Sequence, residues 1–197
     1  MENKEKILKL LEKNNGYITT KMVVDNNIAT FFLSQMVKEK QLIRISRGTY
    51  RKYDDVADIF YEHLSKSEYA RYSHAIALYF HNYSDRTPIH FDITVQSGYG
   101  GILQSEKDIT LYYIKKPLLD LGLIEIKSPF GMPIKTYDLE RTICDIVRDK
   151  NKMDGEIFTK ALKQYAKSKQ RDMAKLLEYA RKFKIEKKIR DYLEVLI

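Results

Sequence analysis

The chain has 197 residues, with 35 Lys and Arg against 27 Asp and Glu and a formal net charge of +8. A single cysteine, Cys144, excludes an intrachain disulfide framework and a cysteine-based zinc site, and its apolar neighbours mark it as a small buried hydrophobe. No apolar run is long enough to cross a bilayer and the N-terminus is charged, so the expectation is a soluble, cytoplasmic protein with no membrane partner.

The first helix is expected over residues 4–13, with Ile7, Leu8 and Leu11 inside and Asn14-Asn15-Gly16 ending it. Thr19 or Thr20 can cap a second helix that runs to about Asp25, because a hydroxyl accepts from free first-turn N–H groups. Asn26 and Asn27 break it. A third helix is expected to start near Ala29. Ala29, Phe32, Leu33, Met36 and Val37 share its inner face, and Thr30, Phe31, Ser34, Gln35 and Lys38 share the outer one. The period then changes to that of a strand, with Leu42, Arg44 and Ser46 facing one way and Ile43 and Ile45 the other. Ser46-Arg47-Gly48 turns the chain, and residues 49–53 return.

That order reads as a winged helix-turn-helix, a module that lays its second helix in the DNA major groove. The expected DNA contacts are Thr19, Thr20, Lys21, Thr30, Phe31, Ser34, Gln35 and Lys38, with Arg44, Arg47, Arg51 and Lys52 on and around the wing. Charge is distributed to match. Residues 1–53 hold 11 basic against 5 acidic side chains (+6), residues 54–147 hold 9 against 14 (−5), and residues 148–197 hold 15 against 8 (+7). Two basic ends around an acidic middle suit a polyanion. At the C-terminal end, Lys160, Lys163 and Lys167 fall on one face at helical spacing, and so do Arg181, Lys184 and Lys188; both sets are possible secondary DNA contacts.

No flexible linker follows residue 53. A helical stretch carries Val56, Ile59, Phe60 and Leu64, and a longer helix is expected over 72–83. Residues 89–95 alternate as a strand, and 97–101 form a loop. Further strands are expected over 108–114, 123–127 and 134–137. Asp138 caps a helix to about Arg148, and three more helices follow near 155–167, 173–183 and 186–196. The fold class is α+β. Residues 1–53 are expected to form the winged helix-turn-helix DNA-binding domain, and residues 54–197 a mixed α+β domain with a small sheet and a helical C-terminal part.

Four blocks resemble AbiEi-type antitoxins: Arg47-Gly48-Thr49-Tyr50; Tyr72-Ser73-His74-Ala75-Ile76-Ala77-Leu78-Tyr79; Leu121-Gly122-Leu123; and Tyr137-Asp138-Leu139-Glu140-Arg141-Thr142-Ile143-Cys144-Asp145. The resemblance spans almost the whole chain. It implies the non-enzymatic antitoxin and transcriptional repressor of a type IV toxin–antitoxin pair of the abortive-infection kind. Its partner would be double-stranded DNA, as inverted repeats in its own promoter. The resemblance also implies a nucleotidyltransferase-like toxin, countered by residues 54–197 without stable contact. No cofactor is implied.

Two enzymatic readings compete. Asp138, Glu140 and Asp145 lie within eight residues, but on a helix Glu140 sits about 200° from Asp138, and an N-cap plus an Arg141–Asp145 pair explains them. Glu125-Ile126-Lys127 with Asp92 on a neighbouring strand would fit a metal-dependent nuclease guided by a winged helix. His63, His74, His81 and His90 show no zinc-binding spacing, and Gly98, Gly100 and Gly101 lack the Lys-Ser/Thr of a phosphate loop. A winged helix that docks only protein is the third class.

Overall fold

The structure, a computed structural model, describes residues 2–85 and 88–194. It divides into two compact units: residues 1–68 with 126–134, and residues 69–125 with 135–197.

The first unit runs α1 (Glu2–Lys13), β1 (Tyr17–Thr19), α2 (Thr20–Asp25), α3 (Phe31–Lys38), β2 (Leu42–Ser46), β3 (Thr49–Lys52) and α4 (Ile59–Ser65). Its three strands are antiparallel in the order β1-β3-β2. The core is apolar: Ile7 and Leu11 from α1, Ile18, Val23, Ile28, Leu33, Met36, Leu42 and Tyr50. Thr19 is the cap of α2, its hydroxyl accepting from Met22 N–H at 3.2 Å. Asn27 takes the left-handed conformation at φ 56°, which turns the chain towards α3.

Three details depart from the sequence expectation. Helix α3 begins at Phe31 and Ala29 is exposed; Ile28 fills the core position instead. The β2–β3 register shifts between Arg44 and Ser46, a bulge that breaks strict alternation along β2. Strand β1 pairs Tyr17 with Arg51 and Thr19 with Thr49, and only three residues long it carries no period-2 signal.

A polar lock closes this unit. Tyr17 Oη accepts from Asp58 N–H at 2.7 Å and donates to Glu62 at 2.9 Å. Asp58 is fully buried, caps α4 and accepts from the Ser128 hydroxyl. Val56 is exposed and lies outside α4, contrary to the apolar stripe expected there.

The second unit contains β4 (Arg71–Tyr72), α5 (His74–Phe80), β5 (Phe91–Gln96), β6 (Ile109–Ile114), α6 (Lys116–Leu119), β7 (Leu123–Lys127), β8 (Pro133–Tyr137), α7 (Leu139–Arg148), α8 (Gly155–Lys167), α9 (Met173–Lys182) and α10 (Glu186–Glu194). The ends of β7 and β8 within 126–134 cluster with the first unit. The five-stranded sheet has the order β6-β5-β4-β8-β7 and mixes parallel pairs (β4–β8, β5–β6) with the antiparallel pair β4–β5. Residues 72–83 are not one helix. Tyr72 pairs with Ile93 and Thr136 in the sheet, and His74 turns at φ 49° before α5. The helices share a core that includes Leu78, Ile143, Cys144, Phe158, Leu162, Leu176 and Ile189. The expected last helix extends to 196, and residues 195–197 lie outside the described residues.

Helix α7 is buried from Glu140 through Val147 without interruption, charged residues included. Asp138 caps it by accepting from Arg141 N–H at 2.8 Å. Arg141 donates to Asp145 at 3.0 Å and to the Leu118 and Leu121 carbonyls at 2.8 and 2.6 Å. Its guanidinium lies over the Tyr137 and Phe183 rings at 4.0 and 4.5 Å. Gly122 adopts φ +72°, and a Cβ there would stand 2.6 Å from Arg141 Cβ, so the close approach needs glycine. Asp145 also faces Arg148 at 3.0 Å, and Arg148 donates to Asp149 at 2.7 and 3.0 Å. His74 Nε2 reaches Asp149 at 3.2 Å.

Candidate nucleic-acid interface

The outer face of α3 is built by the inner one. Leu33 and Met36 are fully buried, which turns Phe31, Ser34, Gln35 and Lys38 outward at helical spacings of three and four residues. Phe31 is 69% exposed and rests edge-on against Phe32, ring centroids 6.0 Å apart. Thr30, Ser34 and Lys38 are exposed, and Gln35 is half-buried.

Gln35 is not a free reader. Its Nε2 donates to Glu39 at 3.0 Å, and Glu39 accepts from Lys4 of α1 at 2.8 Å. The Lys4 ammonium holds the Glu39 carboxyl below the usual carboxylate range. This chain was not legible in the sequence, because Lys4 and Glu39 stand 35 residues apart.

The wing closes at Gly48, whose φ of +82° takes the left-handed position, and it carries Arg47 exposed at the tip. Lys21, Arg44 and Lys52 are also exposed; Arg44 Nε contacts the Ser46 carbonyl at 3.4 Å. Arg51 is different. It donates to Glu62 at 2.8 Å and to the Asp55 carbonyl, so its charge is spent inside the unit. Thr19 and Thr20 act locally: Thr19 caps α2, and Thr20 N–H donates to the Gly48 carbonyl at 2.8 Å.

In the second unit, Lys160, Lys163 and Lys167 line one surface of α8. Lys160 is paired with Asp85, whereas Lys163 and Lys167 are exposed without an ion pair among the described residues. Arg181, Lys184 and Lys188 do not share a helical face. Helix α9 ends at Lys182, Lys184 turns at φ 58°, and Lys188 belongs to α10. Arg181 is further paired with Glu186.

The nuclease arrangement is not assembled. Strands β4 and β8 stand between β5 and β7, which separates Asp92 from the Glu125 strand by three strand spacings, about 14 Å. Asp92 instead accepts from Ala75 N–H at 2.9 Å, and burial raises its carboxyl pKa. Glu140, another candidate acid, accepts from Asp172 N–H at 3.1 Å and Tyr165 Oη at 3.3 Å.

Residues 5–51 match the sequence profile of a family described as transcriptional regulator, AbiEi antitoxin. No curated protein matches the chain. Among solved structures, the fold is similar to the crystal structure of the RV2827C protein from Mycobacterium tuberculosis. The TM-score is 0.65 at 10% sequence identity, over 98% of this chain and 77% of that one. At that identity the likeness concerns the fold alone. No described helix is long and apolar enough to cross a membrane.

Proposed function

We propose that this chain, whose residues 5–51 match the model of a family described as transcriptional regulator, AbiEi antitoxin, is a promoter-binding repressor and antitoxin. Residues 1–53 read double-stranded DNA at inverted repeats in the chain's own promoter. Residues 54–197 counter a nucleotidyltransferase-like toxin without stable contact, and the protein works in the cytoplasm. The observation that carries the DNA reading is the exposed stripe Phe31, Ser34 and Lys38 on α3, accompanied by the exposed wing-tip Arg47. A helix at the second position of a helix-turn-helix presents such a stripe to base edges, and the wing arginine meets phosphate or the minor groove. Lys21, Thr30, Arg44 and Lys52 are exposed in the same unit and add contacts to the duplex, and Lys163 and Lys167 of the second unit are secondary contacts.

The test is a gel-shift titration on the chain's own upstream region, with and without Mg²⁺. A specific shift without cleavage supports the repressor. Metal-dependent cutting supports a nuclease, and no shift supports a protein-docking module. A growth-rescue assay in toxin-expressing cells tests the antitoxin half: an Arg47→Ala, Lys38→Ala variant that no longer shifts DNA should still rescue.

A further inference from the structure

We propose that Phe31 sets sequence preference by reading the 5-methyl group of a thymine in the major groove. The inference rests on the DNA reading above and names what that surface recognises. Phe31 occupies the first turn of α3, the part of a recognition helix that meets base edges. It is 69% exposed among polar neighbours, Thr30, Ser34 and Lys38. The ring makes one edge contact with Phe32, centroids 6.0 Å apart, and otherwise faces outward.

Its polar companion on the stripe is restrained. Gln35 spends an N–H on Glu39, which Lys4 anchors in turn. That contact orients the amide, whose second N–H and Oε1 remain for a base edge. The group foremost on the helix is an exposed apolar ring, and the apolar feature that the major-groove edge of the base pairs offers it is the thymine methyl. The other bases present hydrogen-bonding groups, which a phenyl ring would strip of water without replacing.

The experiment selects a random double-stranded library with the full-length protein. Each thymine of the enriched site is then replaced by uracil, which removes only the methyl group. At one position per bound chain, uracil should weaken binding about fourfold, the effect of one methyl no longer buried. Phe31→Ala should bind the thymine and uracil versions alike, while Phe31→Leu keeps part of the discrimination. Because Phe31 is mostly exposed, both variants should keep the wild-type circular dichroism spectrum. Uracil tolerated everywhere by the wild type overturns the inference and leaves the DNA reading intact. A uracil penalty that persists unchanged in Phe31→Ala does the same. A library from which no sequence is enriched overturns the DNA reading and the inference with it.

Discussion

Asp145 is the keystone of the second unit, and Asp145→Ala should open it. The carboxylate is fully buried between two guanidinium groups, Arg141 and Arg148, each 3.0 Å away. Arg141 has no exposed surface, and its Nη2 already lacks a hydrogen-bond acceptor among the described residues. Removing the carboxylate leaves a buried cation without its counter-charge. Breaking a buried pair from one side costs about 3–5 kcal/mol, which is roughly a 100- to 4,000-fold rise in the opening equilibrium. Cys144 supplies the assay. It is the only cysteine, it is buried within α7, and burial pushes its thiol pKa up, so a thiol-reactive aromatic disulfide labels it only when the helix opens. Labelling of Asp145→Ala should accelerate by that factor under conditions where opening is rapidly reversed. The double variant Arg141→Met, Asp145→Leu should recover part of the loss, because it removes both charges. Acceleration of less than about tenfold, near 1.4 kcal/mol, would refute the view that this ion cluster holds α7 in place.

Asp149 should make the second unit acid-sensitive. Burial would raise its carboxyl pKa, but the His74 and Arg148 contacts outweigh burial and hold it at about 2. A depressed folded-state pKa contributes stability above the unfolded value, about 3.9, and that stability is lost as pH falls towards 2; the contribution is on the order of 2 kcal/mol. Urea midpoints should therefore fall between about pH 4 and pH 2 in the wild type, and fall less in Asp149→Asn. Arg47→Ala should weaken binding to all sequences and reduce the slope of log affinity against log salt by about one, measured by fluorescence anisotropy; an unchanged slope would remove the wing tip from the phosphate backbone. The joint change Lys163→Gln, Lys167→Gln should reduce that slope by up to about two, and an unchanged slope would make α8 an ordinary solvated face.

Regular helices with strong periodicity were legible from the chain alone. Gly155–Lys167 matches the expected α8, and Asp138 caps α7 as its position before Leu139 implies. What escaped was set by partners distant in sequence. The block from Tyr72 reads as helix locally, yet Arg71 and Tyr72 are drawn into a sheet by Thr94, Ile93 and Thr136. Strand β1 exists only because Arg51 and Thr49 lie opposite it. The same applies to the candidate interface. Ser34 and Lys38 face solvent as the period of α3 requires, but no local pattern announces that Gln35 is engaged by Glu39 or Arg51 by Glu62.

The segment that looks most chemical in the sequence and the segment proposed to read DNA are different ones. Residues 137–145 hold three carboxylates and an arginine beside Tyr137, and they are packed into the interior of the second unit. Tyr137, Arg141 and Asp145 have no exposed surface, and Glu140 is 6% exposed. The charged groups there bond to other parts of the same unit: Asp138 to the Arg141 amide, Glu140 to the Asp172 amide, and Arg141 to Asp145 and the Leu121 carbonyl beside Gly122. That accounts for Leu121-Gly122-Leu123 accompanying the longer block, since the glycine makes room for Arg141 and its neighbour's carbonyl receives the guanidinium. Thr30 to Lys38, by contrast, is compositionally plain, and Thr30, Phe31, Ser34 and Lys38 are exposed. Substitutions in the two segments should therefore separate cleanly. Those in α7 change how firmly the second unit is folded, and those on the outer face of α3 change what is bound without changing the fold.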